Sequence, residues 1–528
     1  MSTTLEVYLL SGKTATVEVG LDEDVATLQR RAEMALGVRR GRLLDASGNV
    51  LDSCAPVKEA RLQTGDGLTL HVSRVQVSAT SGAFAAILGD TSTVSWGDAG
   101  GGGDSSSVQH QLKDVQQIQA SQNAFAAILS DGSVVTWGSA CSGGDSSAVQ
   151  DQLKNVQQIQ ATQRAFAAML GDGSVVTWGY ANRGGDSSAV QDQLKNVQQI
   201  QASGTAFAAV LGDGSVVTWG DSDWGGDSRA VQVKLKNVQL IQATDYAFAA
   251  VLGDGSVVTW GDADFGGDST AVQHLLKNVQ QIQASALTFA AILGDAAVVT
   301  WGEPDCGGDS SAVQEQLKNV QQIQATPRHA FAAVLGDGSV VTWGDARGGG
   351  DSSAVQHQLK NVQQIQATDY AFAAILGDGS VVTWGRADYG GDSSAVQGQL
   401  QNVQQIQAAG YAFAAILGDG SVVTWGHADR GGDSSAVQAQ LKNVQQIQAV
   451  GYAFAAILGD GSVGLLAKLG KGVSEAEQVN QHVQEAMSNF RRASIQANAH
   501  RSAPHTGPGE KLFKNYKVRK ARAAKRPG

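Results

Sequence analysis

The sequence is short of cysteine and proline, with only 3 cysteines and 6 prolines in 528 residues, and so few prolines argue against proline-rich linkers. Cys54, Cys141 and Cys306 form neither a CxxC pair nor an even-numbered framework, which favours reduced thiols in an intracellular protein, cytoplasmic or nuclear. No apolar run reaches the roughly 18 residues that a membrane helix needs, and no basic segment leads into an apolar one at the N-terminus. We therefore expect neither a membrane span nor a secretory signal.

Signatures of catalysis and of small-ligand binding are also missing. The chain has no GxxxxGK[ST] phosphate loop, and its 9 histidines fall into no Ser/His/Asp or Cys/His arrangement. We expect a protein that is not an enzyme and that holds no cofactor and no metal.

Charge is distributed unevenly along the chain. The net charge of −11 divides into −2 over residues 1–73, −18 over residues 74–463 and +9 over residues 464–528. An acidic body argues against nucleic-acid binding by the body. Eight Lys/Arg and no acid lie between residues 511 and 526. This tail predicts a polyanion contact or a nuclear-localisation signal, or else a solvated terminus without a partner.

What the chain has in excess is glycine, 65 residues, together with internal repetition. The phenylalanine of "AFAA" or its variant recurs every 41 residues, with one step of 42, at positions 84, 125, 166, 207, 248, 289, 331, 372, 413 and 454. The tryptophan of "TWG" or "SWG" keeps the same spacing at positions 96, 137, 178, 219, 260, 301, 343, 384 and 425. Nine complete units and a partial tenth therefore lie between residues 75 and 463.

Each unit predicts three β-strands. "QQIQAT" alternates polar and apolar residues, "AFAAIL" is apolar on both faces, and "SVVTW" is β-branched and aromatic. The Asp-Gly of "GDG" is a hairpin turn between the last two. The remaining "DSSAVQDQLKN" fits either a short edge strand or a capped helical turn. Small sheets repeated at this period predict a mainly β, propeller-like array of nine and a half repeats, whose closure into a ring the sequence leaves open.

One stretch of the array resembles a known repeat. Residues 361–391, "NVQQIQATDYAFAAILGDGSVVTWGRADYGG", are similar to the repeat of the regulator of chromosome condensation family, most of all in "DGSVVTWG". The resemblance covers residues 75–463 and implies a β-propeller. The chain departs from the family pattern in having "GGDS" in place of "GQLG", a shorter unit, and no histidine before the apolar strand except His329.

The N-terminal residues 1–74 resemble a ubiquitin-like β-grasp domain. They predict a hairpin, a helix from about Val25 to Leu36, and further strands, with acidic residues at the start of the helix. The positions that match the exposed apolar patch of ubiquitin are Leu10, Leu44 and Val72. These three residues either form such a patch or simply pack within the sheet.

The C-terminal end divides into two further parts. Residues 464–505 contain apolar residues at helical spacing and predict an amphipathic helical segment. Residues 506–528 predict a basic, disordered tail.

The acidic loop "GDADFGGD" raises the question of calcium. Gly266 and Gln273 occupy the fifth and twelfth positions of the loop, where an EF-hand requires oxygen ligands and a bidentate Glu. The position that is Asp262 in this unit is Arg386 in another, and arginine cannot bind a metal. The aspartate after Gly-Gly and the tryptophan recur in all nine complete units, which predicts turn and packing roles. Representatives of these structural positions are Asp145, Trp137, Asp268, Trp260, Asp392 and Trp384.

Two positions vary between otherwise similar units, one before "AFAA" and one after "WG". Both fall at strand connections, where binding residues concentrate, and both are rich in aromatic residues and arginine. The alternative is drift of exposed loops between recent copies. If the positions bind partners, the candidates are Arg164, Arg183, Trp224, Tyr246, Phe265, Arg328, Arg347, Tyr370, Tyr389, Tyr411 and Arg430.

These patterns predict a non-catalytic protein-interaction scaffold that binds proteins through variable loop tips, as an adaptor in a ubiquitin-linked pathway. The family resemblance implies two alternatives. One is a guanine-nucleotide exchange factor or other regulator of a small GTPase. The other is a truncated relative of repeat-containing HECT-type ubiquitin ligases.

Overall fold

The computed structural model describes residues 2–9, 13–36, 41–53, 55–60, 62–71, 75–89, 91–451, 453–459 and 463–465. Leu10, Val72, the amphipathic segment beyond residue 465 and the basic tail lie outside the described residues. Among those that are described, no helix is both long enough and apolar enough to cross a lipid bilayer.

The N-terminal part is a four-stranded sheet with one helix. Its elements are β1 (Ser2–Tyr8), β2 (Thr14–Gly20), α1 (Val25–Leu36), β3 (Arg42–Leu44) and β4 (Gly67–His71). The strand order is β2-β1-β4-β3, with β1 and β4 parallel. Apolar residues alternate along β1 and β2 and pack with the buried side of α1. The helix matches its predicted limits, whereas the ubiquitin-like identity of this part stays a prediction.

The remaining strands form ten three-stranded antiparallel sheets, one for each repeat, which confirms the mainly β, propeller-like array. The inner strands are Gln76–Ala79, Val115–Ala120, Val156–Ala161, Val197–Ala202, Val238–Ala243, Val279–Ala284, Val320–Ala325, Val362–Ala367, Val403–Ala408 and Val444–Val450. The middle strands are Ala83–Ile87, Ala124–Leu129, Ala165–Leu170, Ala206–Leu211, Ala247–Leu252, Thr288–Leu293, Ala330–Leu335, Ala371–Leu376, Ala412–Leu417 and Ala453–Leu458. The outer strands are Thr93–Gly97, Val134–Gly138, Val175–Gly179, Val216–Gly220, Val257–Gly261, Val298–Gly302, Val340–Gly344, Val381–Gly385, Val422–Gly426 and Val463–Leu465.

In the nine complete repeats, the segment after the outer strand contains neither a fourth β-strand nor a helix longer than five residues. It consists of single helical turns. The turns after the outer strands are Ala99–Gly101, Ala140–Ser142, Ala181–Arg183, Ser222–Gly226, Ala263–Gly267, Pro304–Cys306, Ala346–Gly348, Ala387–Tyr389 and Ala428–Arg430. Further turns are Gln150–Gln152, Gln191–Gln193, Gln232–Lys234, Gln314–Gln316, Gln397–Gln399 and Gln438–Gln440.

Side chains explain why this segment does not pair as a strand. In the second repeat, the hydroxyls of Thr136 and Ser146 are 3.0 Å apart, and Ser146 donates to Gln150 at 2.9 Å. The Gln150 amide then donates to the carbonyl oxygen of Val134 at 2.9 Å. The outer strand edge is therefore covered through a glutamine side chain rather than through a fourth backbone ladder.

Neighbouring sheets interlock through an aromatic pair. In the fifth repeat, Phe248 and Trp260 stack with ring centroids 5.2 Å apart, and the Trp260 indole donates to the carbonyl oxygen of Gly225 in the fourth repeat at 3.0 Å. Gly225 has φ +96°, and a Cβ on it would lie 2.6 Å from the Phe248 ring. The Gly-Gly motif is therefore required because the next repeat's phenylalanine packs directly against it.

A series of main-chain hydrogen bonds runs from repeat to repeat at the inner ends of the sheets. After most of the inner strands, a backbone N–H donates to the equivalent carbonyl oxygen of the next repeat at 2.6–3.1 Å. The donor and acceptor positions are 81 and 122, 122 and 163, 163 and 204, 204 and 245, 245 and 286, 286 and 327, 369 and 410, and 410 and 451. The series is interrupted between the seventh and eighth repeats, because Pro327 has no N–H to donate, and it continues from Asp369 to Gly410 and from Gly410 to Gly451.

The tenth repeat lies beside the first. A Cβ built on Gly451 would be 3.3 Å from the carbonyl oxygen of Ser81. Phe84 and Trp96, at positions that face the preceding repeat elsewhere in the array, are only 2% and 4% exposed. The array is therefore a closed ring of ten repeats, in which Val463–Leu465 completes the last sheet two residues beyond the predicted boundary at 463.

Candidate functional site

The antiparallel strands sort the loops onto two faces of the ring. The connections between inner and middle strands, such as residues 121–123, lie on the same face as the segments that follow the outer strands, such as residues 139–144. We call this the tip face. The turns between middle and outer strands, such as residues 130–133, lie on the opposite side, which we call the hairpin face. Both variable positions found in the sequence fall on the tip face.

Aromatic residues of the third to fifth repeats meet on the tip face. The Arg183 guanidinium lies 4.7 Å from the Trp224 ring, and Trp224 contacts Tyr246 edge-on at 4.7 Å. Tyr246 in turn contacts Phe265 at 4.9 Å. We call Arg183, Trp224, Tyr246 and Phe265 the first arc. Each repeat contributes a partly exposed ring or cation, so the arc is a continuous surface across three repeats.

A second arc joins the seventh, eighth and ninth repeats. His329 stacks on Tyr370 at 4.1 Å, Tyr370 contacts Tyr389 at 4.6 Å, and Tyr389 stacks on Tyr411 at 4.5 Å. Two arginines cover these rings. Arg386 lies 5.4 Å from Tyr370 and 4.7 Å from Tyr389, and Arg430 lies 4.9 Å from Tyr411. The second arc consists of these four rings and two arginines.

Charged groups stand at the inner edge of the tip face. Arg328 donates to the Asp245 carboxylate at 3.4 Å, across two repeats. Burial raises the pKa of Asp245 and of Asp369, although Arg328 acts in the opposite direction on both. Beside them is a cavity of about 640 Å³, lined by the ends of inner strands from the second to the eighth repeat. The tip face thus surrounds the mouth of a central cavity with acidic groups at its rim.

The sequence-predicted candidates are not all part of the arcs. Arg164 lies over Tyr180 at 6.0 Å, next to the first arc. Arg347 is exposed and belongs to neither arc. The position equivalent to Phe265 in the seventh repeat is Gly348, and a Cβ there would lie 2.3 Å from the Cβ of His329. His329 therefore occupies the space that an aromatic side chain fills in other repeats.

Several tip-face residues were missed as binding candidates. Tyr180, Arg386 and His427 occupy the position two residues after the tryptophan, whose variation argues against calcium but which is not one of the two predicted binding positions. Tyr180 is 45% exposed, and Arg386 bridges two rings of the second arc. Variation at this position was the available signal, since it is acidic in five of the nine complete repeats and Ser, Tyr, Arg or His in the other four.

The recurrent aspartate lies in a turn. Asp145, Asp268 and Asp392 each accept the backbone N–H of the residue two positions later at 2.9 Å. These backbone hydrogen bonds, followed by those from the neighbouring hydroxyls, lower the pKa of each carboxyl. The recurrent Trp137, Trp260 and Trp384 are buried and donate to the preceding repeat at 3.0 Å.

The N-terminal part meets the ring on the hairpin face. Arg42 of β3 donates to Thr91 and to Asp114 in the first repeat. The other complete repeats carry asparagine at the position of Asp114 and, apart from Ala296 in the sixth repeat, glycine at the position of Thr91, so the departures of the first repeat coincide with this contact. Of the predicted ubiquitin-like patch, only Leu44 is among the described residues; it is half-buried in β3. Within the part of the chain that is described, no group of three His, Cys, Asp or Glu side chains could hold a metal.

No family model and no curated protein matches the chain. Among solved structures, Prp20p from Saccharomyces cerevisiae matches with 16% identity over 56% of this chain and 87% of that chain, at a TM-score of 0.29. The computationally designed Ika8 protein matches with 14% identity over 67% and 96% of the two chains, at 0.27. The CRINKLY WD40 ectodomain of the Arabidopsis thaliana receptor kinase ACR4 matches with 16% identity over 51% and 94%, at 0.28. TM-scores this low do not establish a shared fold, so the architecture rests on the geometry of this chain alone.

Proposed function

We propose that the protein is a non-catalytic scaffold whose tip face binds other proteins. The observation that supports this most is that residues from separate repeats, far apart in sequence, form two contiguous aromatic and cationic arcs on one face. Partly exposed tyrosine, tryptophan and arginine side chains are the usual anchors of protein interfaces. The hairpin face, by contrast, repeats almost unchanged from unit to unit.

Site-specific photo-crosslinking in the full chain tests this proposal. A photoreactive phenylalanine in place of Tyr180 samples the tip face, and one in place of the exposed Gln157 samples the hairpin face. We expect defined protein adducts from the first position only, and their loss when Trp224→Ala and Tyr389→Ala are added. Adducts that form equally from Gln157, or that survive both substitutions, would contradict a tip-face scaffold.

The partner class is the finer part of the proposal. We place the protein in a ubiquitin-linked pathway, with the N-terminal part as the ubiquitin-like element. Leu44→Arg in the full chain should then abolish capture by immobilised ubiquitin-binding domains, while a surface change at Met34, which is 80% exposed on α1, should not. Regulation of a small GTPase is the alternative, and accelerated nucleotide release across a GTPase panel would replace the scaffold with an exchange factor.

A further inference from the structure

The fifth and eighth repeats carry nearly the same aromatic pair on the tip face. Tyr246 and Phe265 in the fifth repeat have ring centroids 4.9 Å apart, and Tyr370 and Tyr389 in the eighth are 4.6 Å apart. The two pairs occupy the same positions of the repeat, with the same spacing in sequence. The local backbone is also shared, since both segments follow an outer strand and enter a single helical turn.

In the eighth repeat, an arginine guanidinium lies against both rings of the pair. Arg386 lies within cation–π distance of both Tyr370 and Tyr389. The same guanidinium forms two hydrogen bonds with the Asp388 carboxylate, at 2.8 and 3.1 Å. Two rings and one carboxylate therefore form a binding site for an arginine side chain.

The fifth repeat keeps the rings and the carboxylate but has no arginine. Asp264 stands at the position of Asp388, and Asp262 replaces Arg386. The Asp262 carboxylate accepts the backbone N–H of Asp264 at 3.0 Å, which holds it in the loop. Among the described residues, no cationic side chain lies over Tyr246 or Phe265, and none forms a salt bridge with Asp262 or Asp264. The fifth repeat thus has the two rings and the carboxylate that hold Arg386 in the eighth repeat. In place of the arginine it has a second carboxylate, that of Asp262.

We propose that Tyr246, Phe265 and Asp264, with Asp262, bind an arginine side chain of a partner protein. The incoming guanidinium takes the place over the two rings that Arg386 takes in the eighth repeat, and Asp264 pairs with it as Asp388 pairs with Arg386. Asp262 adds attraction for a cation, which favours arginine over a neutral side chain and repels an acidic one. This inference rests on the proposed function, because it names the chemistry of one contact on the tip face.

The test uses the full chain and two small probes, acetyl-arginine methylamide and its uncharged analogue acetyl-citrulline methylamide, observed by saturation-transfer NMR. We expect saturation of the arginine probe, and binding of the citrulline probe that is weaker by about tenfold. Asp262→Arg should abolish binding because the variant supplies its own guanidinium. Arg386→Asp, which gives the eighth repeat the acid found in the fifth, should create a second site of similar affinity.

Equal saturation of the two probes, or unchanged binding to Asp262→Arg, would overturn the inference. Near-UV circular dichroism establishes that each variant is folded; if Asp262→Arg is not, Asp264→Asn replaces it, with weaker binding expected. Tip-face crosslinks without arginine binding refute this inference and leave the scaffold proposal standing. Arginine binding without tip-face crosslinks refutes the scaffold proposal alone.

Discussion

The hydrogen bond from Trp260 to Gly225 offers a test of how the ring is held together. In Trp260→Phe the aromatic stack with Phe248 is retained, but the carbonyl oxygen of buried Gly225 loses its donor. Leaving such a group unpaired costs about 1–3 kcal/mol. The smaller ring adds a packing loss that has to be separated from this cost.

The first repeat supplies the matched control. Trp96 is 4% exposed, as Trp260 is, and stacks on Phe84 at the same 5.2 Å. However, its buried indole N–H has no hydrogen-bond partner among the residues that the structure describes. Within the described part of the chain, Trp96→Phe therefore removes a similar ring volume without breaking a hydrogen bond, and it also removes a buried donor that is unpaired there.

Unfolding in guanidinium chloride, followed by far-UV circular dichroism, measures the difference in stability between the two variants. We expect Trp260→Phe to lower the free energy of unfolding by about 1–3 kcal/mol more than Trp96→Phe does, at unchanged dependence on denaturant concentration. Equal destabilisation of the two variants would refute the reasoning, since ring size alone would then account for the effect.

Three further predictions concern separate features. Asp369→Asn should raise the melting temperature at pH 7, because burial raises the pKa of the Asp369 carboxyl and its ionisation above that pKa lowers the stability of the folded state. Melting curves at several pH values should show that this gain disappears as the pH falls through the raised pKa. Gly266→Ala should destabilise by about 2 kcal/mol or more, because φ is +98° and the added Cβ lies 2.6 Å from the Phe289 ring, whereas Gly398→Ala, with nothing within 4 Å, should be neutral in the same melts. Arg42→Ala should speed proteolysis within residues 1–74 while the ring resists, and unchanged cleavage would show that the contact with the first repeat does not hold the N-terminal part.

Local patterns were enough to predict the elements of the repeat. The Asp-Gly turn, the doubly apolar middle strand and the helix Val25–Leu36 all depend on residues close in sequence, and the structure has them where expected. The fourth element could not be predicted in this way. Its conformation depends on side-chain hydrogen bonds that link Ser146 to Gln150 and Gln150 to Val134 of the outer strand, so it is set by a contact between two segments.

The candidate site was predicted in part for a similar reason. Trp224, Tyr246 and Tyr389 stood out because they vary against a constant background. Arg386 was read only as a residue that cannot bind a metal, because sequence alone does not show that it reaches two rings. Arg347 was predicted as a binding residue, although the space beside Gly348 that an aromatic side chain fills in other repeats is taken by His329. His329 is part of the connection in which the seventh repeat has one extra residue.

The sequence by itself determined the repeat, its three strands and the residues that recur for turns and packing, because the hydrophobic period and turn chemistry are local properties. Only the tertiary structure decided that ten repeats close into a ring and that two arcs form on one face. Closure depends on the approach of Gly451 to Ser81, separated by nearly the whole array. The arcs depend on side chains from successive repeats reaching one another across sheet boundaries, which is a matter of packing geometry rather than of composition.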